Sequence, residues 1–320
     1  MAHRILCVAT LLAFGLSAVA RADELADKGR AVLEKSKASV VTIRIVVKQQ
    51  ISMPQFGSHE EEIKSEATGT VIDPSGLTVL SLNATDPTAM LEDMMSAGGR
   101  EGFEMKSTIS DLKILQDDGA EISAQIVLRD RDLDLAFLRP VEAPKEPLPA
   151  LDLAQAVAPA MLDPIITLNR LGRVASREYA VSIERINAVV TRPRTFYVMG
   201  NDPSQTNLGS PALNVDGLPI GICVLRTVRG GDSGGSMGMF GGQENMLAII
   251  VPAADVLEVA KQAPQVGEEA KEIGAPPAEE KKDEEAPSDE PKPDEPAAEE
   301  KPAEESPDGT IKLKAEDPAA

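Results

Sequence analysis

The sequence predicts an all-β, barrel-type fold that ends in a structureless tail. Three observations predict it. Short runs rich in β-branched residues recur along the chain, separated by tight-turn signals such as Asp73-Pro74-Ser75-Gly76 and Asp117-Asp118-Gly119. Many short strands with turns between them indicate a barrel architecture. Only 2% of the 320 residues are aromatic and Trp is absent, while 42% are apolar; aliphatic side chains must therefore fill the core of one or two ordinary domains. From about Gln265, Glu, Pro, Ala, Lys and Asp take over, and few residues there can bury themselves, so the tail is expected to be disordered.

The chain opens with Met1-Ala2-His3-Arg4, an apolar run over residues 5–20, and Ala20-Arg21-Ala22. A charged start, an apolar middle and an A-x-A site read as a secretory signal peptide, cleaved after Ala22. The alternative, a membrane anchor, fits less well because the run is shorter than the ~20 residues that span a bilayer. Secretion or a periplasmic location follows, with no stable membrane insertion once the signal is removed. Cleavage also removes Cys7 and His3, and leaves Cys223 and His59 as the lone cysteine and histidine. One cysteine makes no internal disulfide. Cys223 lies in the apolar run over residues 220–225 and reads as a small buried hydrophobe rather than a reactive thiol.

Residues 24–37 read as a short helix with Leu25, Val32 and Leu33 as its apolar positions. Residues 39–47 are rich in β-branched side chains and read as a strand. Residues 49–66 are polar and acidic and read as a loop holding His59 amid Glu60, Glu61 and Glu62. Residues 67–83 read as strand, turn, strand: Pro74 presets φ and Gly76 permits a positive one. Residues 84–107 read as an insertion whose methionines either pack down or form an adaptable contact surface. A hairpin with an Asp-Gly turn covers residues 112–128 and leads into Asp130-Arg131-Asp132-Leu133-Asp134-Leu135-Ala136-Phe137-Leu138. Residues 141–149 hold three prolines and read as a linker. Strand-like runs then recur over residues 164–168, 179–190, 195–199, 212–215, 221–228 and 246–251.

Four segments carry a resemblance. Residues 69–83 closely resemble the G-x-V-I-D-P-x-G-Y-I-L-T-N-N-H-V hairpin of HtrA-type, trypsin-like serine proteases. Residues 130–138 match the D-x-x-x-D-L-A-x-L pattern. Thr206-Asn207-Leu208-Gly209-Ser210-Pro211-Ala212-Leu213-Asn214-Val215-Asp216-Gly217-Leu218-Pro219-Ile220-Gly221-Ile222 resembles the nucleophile loop G-N-S-G-G-P-L-V-N-x-x-G-x-x-I-G-I. Residues 247–256 resemble the G-F-A-I-P-x-x-x-V segment that closes the second barrel and starts a last helix. Asn169-Arg170-Leu171-Gly172 stands where the family has G-N-P-x-G.

The likeness covers roughly residues 36–260. It implies two six-stranded antiparallel β-barrels of trypsin-like design. The expected organisation is a signal peptide (1–22), an N-terminal helix (23–37), a first barrel (38–145), a second barrel (146–263) and an acidic Pro/Ala/Glu-rich tail (264–320). The tail stands where a PDZ domain often follows, and is too short and too polar to be one.

A serine protease needs a hydroxyl, a base to take its proton and an acid to orient that base. By the resemblance Asp134 keeps the aspartate position. The histidine position falls near Asn83 or Ala84, neither of which is basic, and the serine position falls on Leu208, which has no nucleophilic atom. His59 reads as a solvated loop residue.

Gly231-Asp232-Ser233-Gly234-Gly235 matches the trypsin-like G-D-S-G-G motif letter for letter. Too few residues follow it to complete a barrel, so residues 230–242 read as a Gly-rich loop between late strands. Ser233 and Ser210 remain the alternative nucleophiles, each in need of an unusual base; a Ser-Lys dyad is conceivable, and no lysine stands out nearby.

No cofactor is expected, and with one His and one Cys only carboxylates are left to hold a metal. The net charge of −20 and the scarcity of aromatics argue against nucleic-acid binding. The expected function is that of a secreted protease homologue without catalysis, holding peptides or unfolded or partner proteins in the interbarrel cleft. One alternative is an active serine-type endopeptidase; another is an envelope scaffold acting through its acidic tail.

Overall fold

The computed structural model describes residues 24–53, 57–85, 104–200, 207–227 and 246–274. Helix α1 (residues 24–36) comes first. Strands β1 (Val40–Met53), β2 (Gly57–Val71), β3 (Thr78–Ser81), β4 (Glu104–Leu115), β5 (Glu121–Asp130) and β6 (Leu135–Pro140) follow. They hydrogen-bond in the order β5-β4-β1-β2-β3-β6, and β5 pairs back onto β6, which closes a six-stranded antiparallel barrel. Strands β7 (Pro164–Arg170), β8 (Tyr179–Val190), β9 (Phe196–Met199), β10 (Pro211–Leu213), β11 (Pro219–Thr227) and β12 (Met246–Pro252) close a second one in the order β10-β11-β12-β9-β8-β7. Helix α2 (Ala253–Ala260) leaves β12 directly.

Aliphatic side chains fill both interiors. Ile43, Ile45, Leu80, Ile114 and Leu138 are buried in the first barrel; Ile165, Ile186, Ala212, Cys223 and Ile250 are buried in the second. A third cluster joins the two, with Val79, Leu135 and Phe137 packing with Leu213, Ile222, Val251 and Val256 of α2. Phe137 is the one Phe in that buried set, so branched aliphatics carry the packing.

The turn before β3 forms as its residues demand. Gly76 N–H donates to Asp73 O at 2.9 Å, Ser75 N–H donates to the Asp73 side chain at 2.8 Å, and Gly76 has φ 93°, a conformation that costs a β-carbon dearly.

Three segments differ from the sequence expectation. Residues 49–66 are not a loop. β1 and β2 run on as a ribbon from Val40↔Thr70 to Met53↔Gly57, because the backbone ladder forms whether or not each side chain is apolar. His59 sits in that ribbon opposite Ile51. β4 begins at Glu104, within the expected insertion, and pairs with β1 from Ser52↔Glu104 onward. The order also continues past residue 264. Strand β13 (Lys271–Ile273) adds in parallel to the edge of β5, and the partly buried Ile273 packs on the shared core. The signal peptide, the methionines at 90, 94 and 95, residues 228–245 and the chain beyond 274 lie outside the described residues.

Candidate functional site

The site is built around Asp134. At the end of β5, Asp130 turns the chain. Its buried carboxylate accepts from Asp132 N–H at 2.9 Å and Leu133 N–H at 3.0 Å, and desolvation raises its pKa. The turn leaves Asp134 at φ 56°, a left-handed conformation that Asp tolerates better than most residues. β6 starts at the next residue.

Three donors converge on the Asp134 carboxylate. Ser81 Oγ–H, from the end of β3, donates to Oδ2. Asn83 N–H, from the single turn of 3-10 helix over Leu82–Ala84, donates to Oδ1 at 3.0 Å. Leu225 N–H, from β11 of the second barrel, donates to Oδ2 at 3.2 Å. Leu82 N–H also donates to the Asp134 carbonyl at 2.9 Å. One carboxylate thus ties β3, the turn after β5 and β11 together across the two barrels.

The loop carrying Leu208 packs against the same edge of the first barrel. Gly209 has φ 84°, and a β-carbon there would stand 2.1 Å from Thr68 O, so only glycine fits. Thr70 Oγ1–H donates to Gly209 O at 2.9 Å. Gly209 N–H donates to Cys223 O at 2.7 Å, and Cys223 N–H to Ser210 O at 2.9 Å. Asn169 Nδ2–H donates to Asn207 Oδ1 at 2.9 Å, so Asn169 pins the loop's start. Thr68 Oγ1 accepts from Arg170 N–H at 3.2 Å beside it.

The expected site residues fall as follows. Asn83 and Ala84 are half-buried next to Asp134, and neither side chain carries a basic nitrogen. Leu208 is buried, at 8% exposure. Ser210 is 0% exposed, and its hydroxyl has no hydrogen-bond partner among the described residues. Ser233 lies outside the described residues. His59 is exposed and lies eleven positions along β2 from Thr70, roughly 35 Å at the rise of a strand. Cys223 is wholly buried, and burial pushes its thiol pKa far up. Sequence reading missed Ser81 and the Leu225 N–H. The small hydroxyl residue just ahead of Leu82-Asn83-Ala84 was the available signal for the first; backbone donors leave none.

A cavity of about 340 Å³ opens beside Asp134. Its floor is apolar, with Leu82, Phe196, Leu225, Ile249 and Val251. Arg131, Arg194 and Arg226 stand on its wall with Asp132. Gly274, which follows β13, also lines it.

Comparison with known proteins finds likeness among solved structures. No family model and no curated protein matches the chain. Among solved structures, the serine endoprotease from Yersinia pestis superposes with a TM-score of 0.47 at 14% identity, over 73% of this chain and 65% of that one.

Proposed function

We propose that this is a protease-shaped protein without hydrolysis, secreted or periplasmic, that holds extended peptides or partner proteins in the cleft between its barrels. The observation that carries this reading is the company Asp134 keeps. Its carboxylate accepts from a serine hydroxyl and two backbone N–H groups, with no imidazole to orient. A triad aspartate works through a histidine, and the mature chain's one histidine sits in the β1–β2 ribbon. The resemblance of residues 206–222 to a nucleophile loop with Leu208 in the serine's place supports the same reading.

Two features support binding. The cavity beside Asp134 is open and has an apolar floor, as peptide side chains need. β11 also turns one backbone edge toward it. Leu225 N–H points away from β12 to Asp134, and alternation along an antiparallel strand turns the N–H and C=O of Thr227 the same way. Among the described residues no strand pairs with that edge beyond β10, whose partners on β11 are residues 219–222. An extended peptide adding there would gain main-chain hydrogen bonds.

The test is to incubate the full chain with labelled extended peptides, following binding by anisotropy and peptide integrity by mass. Bound peptides should stay intact through long incubation, and Thr227→Pro, which deletes one edge donor, should weaken binding. Cleaved peptide would overturn the reading.

A further inference from the structure

The wall of the cavity beside Asp134 is more basic than the rest of this acidic chain predicts. Arg131, Arg194 and Arg226 come from the turn after β5, from just before β9 and from β11. The protein as a whole carries a net charge of −20, yet these three cations share one cavity with two lining carboxylates, Asp132 and Asp134.

Most anions nearby are engaged elsewhere or only loosely paired, and Asp255 of α2 reaches Arg194 through charge alone. The Asp134 carboxylate is filled by three donors. The Asp130 carboxylate accepts the backbone N–H groups of its own turn. Glu272 approaches Arg131 only to 3.7 Å, at the long end of an ion pair, while Arg131 Nε is buried with no partner among the described residues. Arg194 is exposed. Arg226 lies over the Phe196 ring, 5.4 Å from its centre, which braces its guanidinium at the rim. Neither Arg194 nor Arg226 makes an ion pair among the described residues.

Guanidinium groups favour planar carboxylates, which they grip through two parallel hydrogen bonds. The floor of Phe196, Leu225 and Ile249 excludes water beneath them, which strengthens such bonds.

Resting on the peptide-holding reading above, we propose that this cavity selects the acidic side chains of an extended peptide. The ligand is a segment in which Glu or Asp follows small apolar residues. The backbone adds to the β11 edge, the small residues lie on the floor, and a carboxylate meets Arg194 and Arg226.

The test uses the full chain and two capped, fluorescein-labelled peptides of alternating Ala and Glu, or Ala and Gln. The Glu peptide should bind at least about tenfold more tightly, as expected for hydrogen bonds to a charged group, and added salt should shrink the difference. The Arg194→Gln/Arg226→Gln double variant should bind the Glu peptide no better than the Gln peptide. A circular dichroism spectrum matching that of the unaltered chain shows that the variant is folded.

Equal binding of both peptides by the unaltered chain overturns acid selection. If Thr227→Pro then weakens both, the peptide-holding reading survives. Binding of neither peptide overturns both.

Discussion

Ser81 donates its hydroxyl hydrogen to the carboxylate of Asp134, so Asp134 serves as a structural acceptor. Asn83 N–H and Leu225 N–H complete the set. Replacing Asp134 by Ala strands all three donors. The unfolding free energy should fall by about 2–4 kcal/mol, since unsatisfied groups cost more than the bonds they lose. Ser81→Ala should cost about 1 kcal/mol. The double variant should be little worse than Asp134→Ala alone, because the two residues share one bond. Urea denaturation of the three variants checks this.

Leu208→Ser puts a hydroxyl into the loop without supplying a base. The variant should hydrolyse no peptide. It should also lose about 2–3 kcal/mol, because Leu208 is 8% exposed and truncating a buried leucine leaves a cavity. A peptidase assay and a thermal melt on one preparation read both. Hydrolysis would mean that a base stands within reach of residue 208.

Two glycines with nearly the same φ should respond differently to alanine. Gly209 and Gly119 have φ 84° and 85°. A β-carbon at 209 would meet Thr68 O at 2.1 Å, whereas one at 119 meets nothing within 4 Å. Gly119→Ala should cost about 1 kcal/mol, the price of the left-handed backbone alone. Gly209→Ala should exceed about 3 kcal/mol, because backbone must move and the bond from Thr70 is lost. Denaturant midpoints compare the two.

Acid should weaken the first barrel through Glu121. Arg44 hydrogen-bonds its carboxylate and Lys113 does so second, which lowers its pKa to about 2 from 4.5. A lowered carboxylate pKa stabilises the fold above the unfolded value, and that contribution is lost as pH falls through the folded one. The window is therefore about pH 4.5 down to about pH 2. Asp130 works in the opposite sense, since burial raises its pKa. Glu121→Gln should flatten the decline of stability in that window, as read by chemical denaturation at a series of pH values.

Much of the barrel fold was legible. The turn at residues 73–76 and the strand runs around it carry their own local signals, and Asp134 stands out because Leu135, Ala136, Phe137 and Leu138 follow it as a wholly buried run. The β1–β2 ribbon was illegible because Gln49 interrupts the alternation of Val47, Ile51 and Met53, and the facing residues 58–62 are all polar. β13 was hidden by its acidic neighbours; Ile273 was the lone apolar cue. Within the site, the Leu225 N–H is a backbone group. The arginines at 131, 194 and 226 come from separate segments, and only the closure of both barrels brings them together.

The measurement that tests the central claim most directly is fluorophosphonate labelling of the full chain, read by intact mass beside a trypsin control. The account predicts no added mass while the control labels fully. Covalent addition at Ser210 or Ser233 would contradict it, because the probe reacts only with a serine that a neighbouring base has activated.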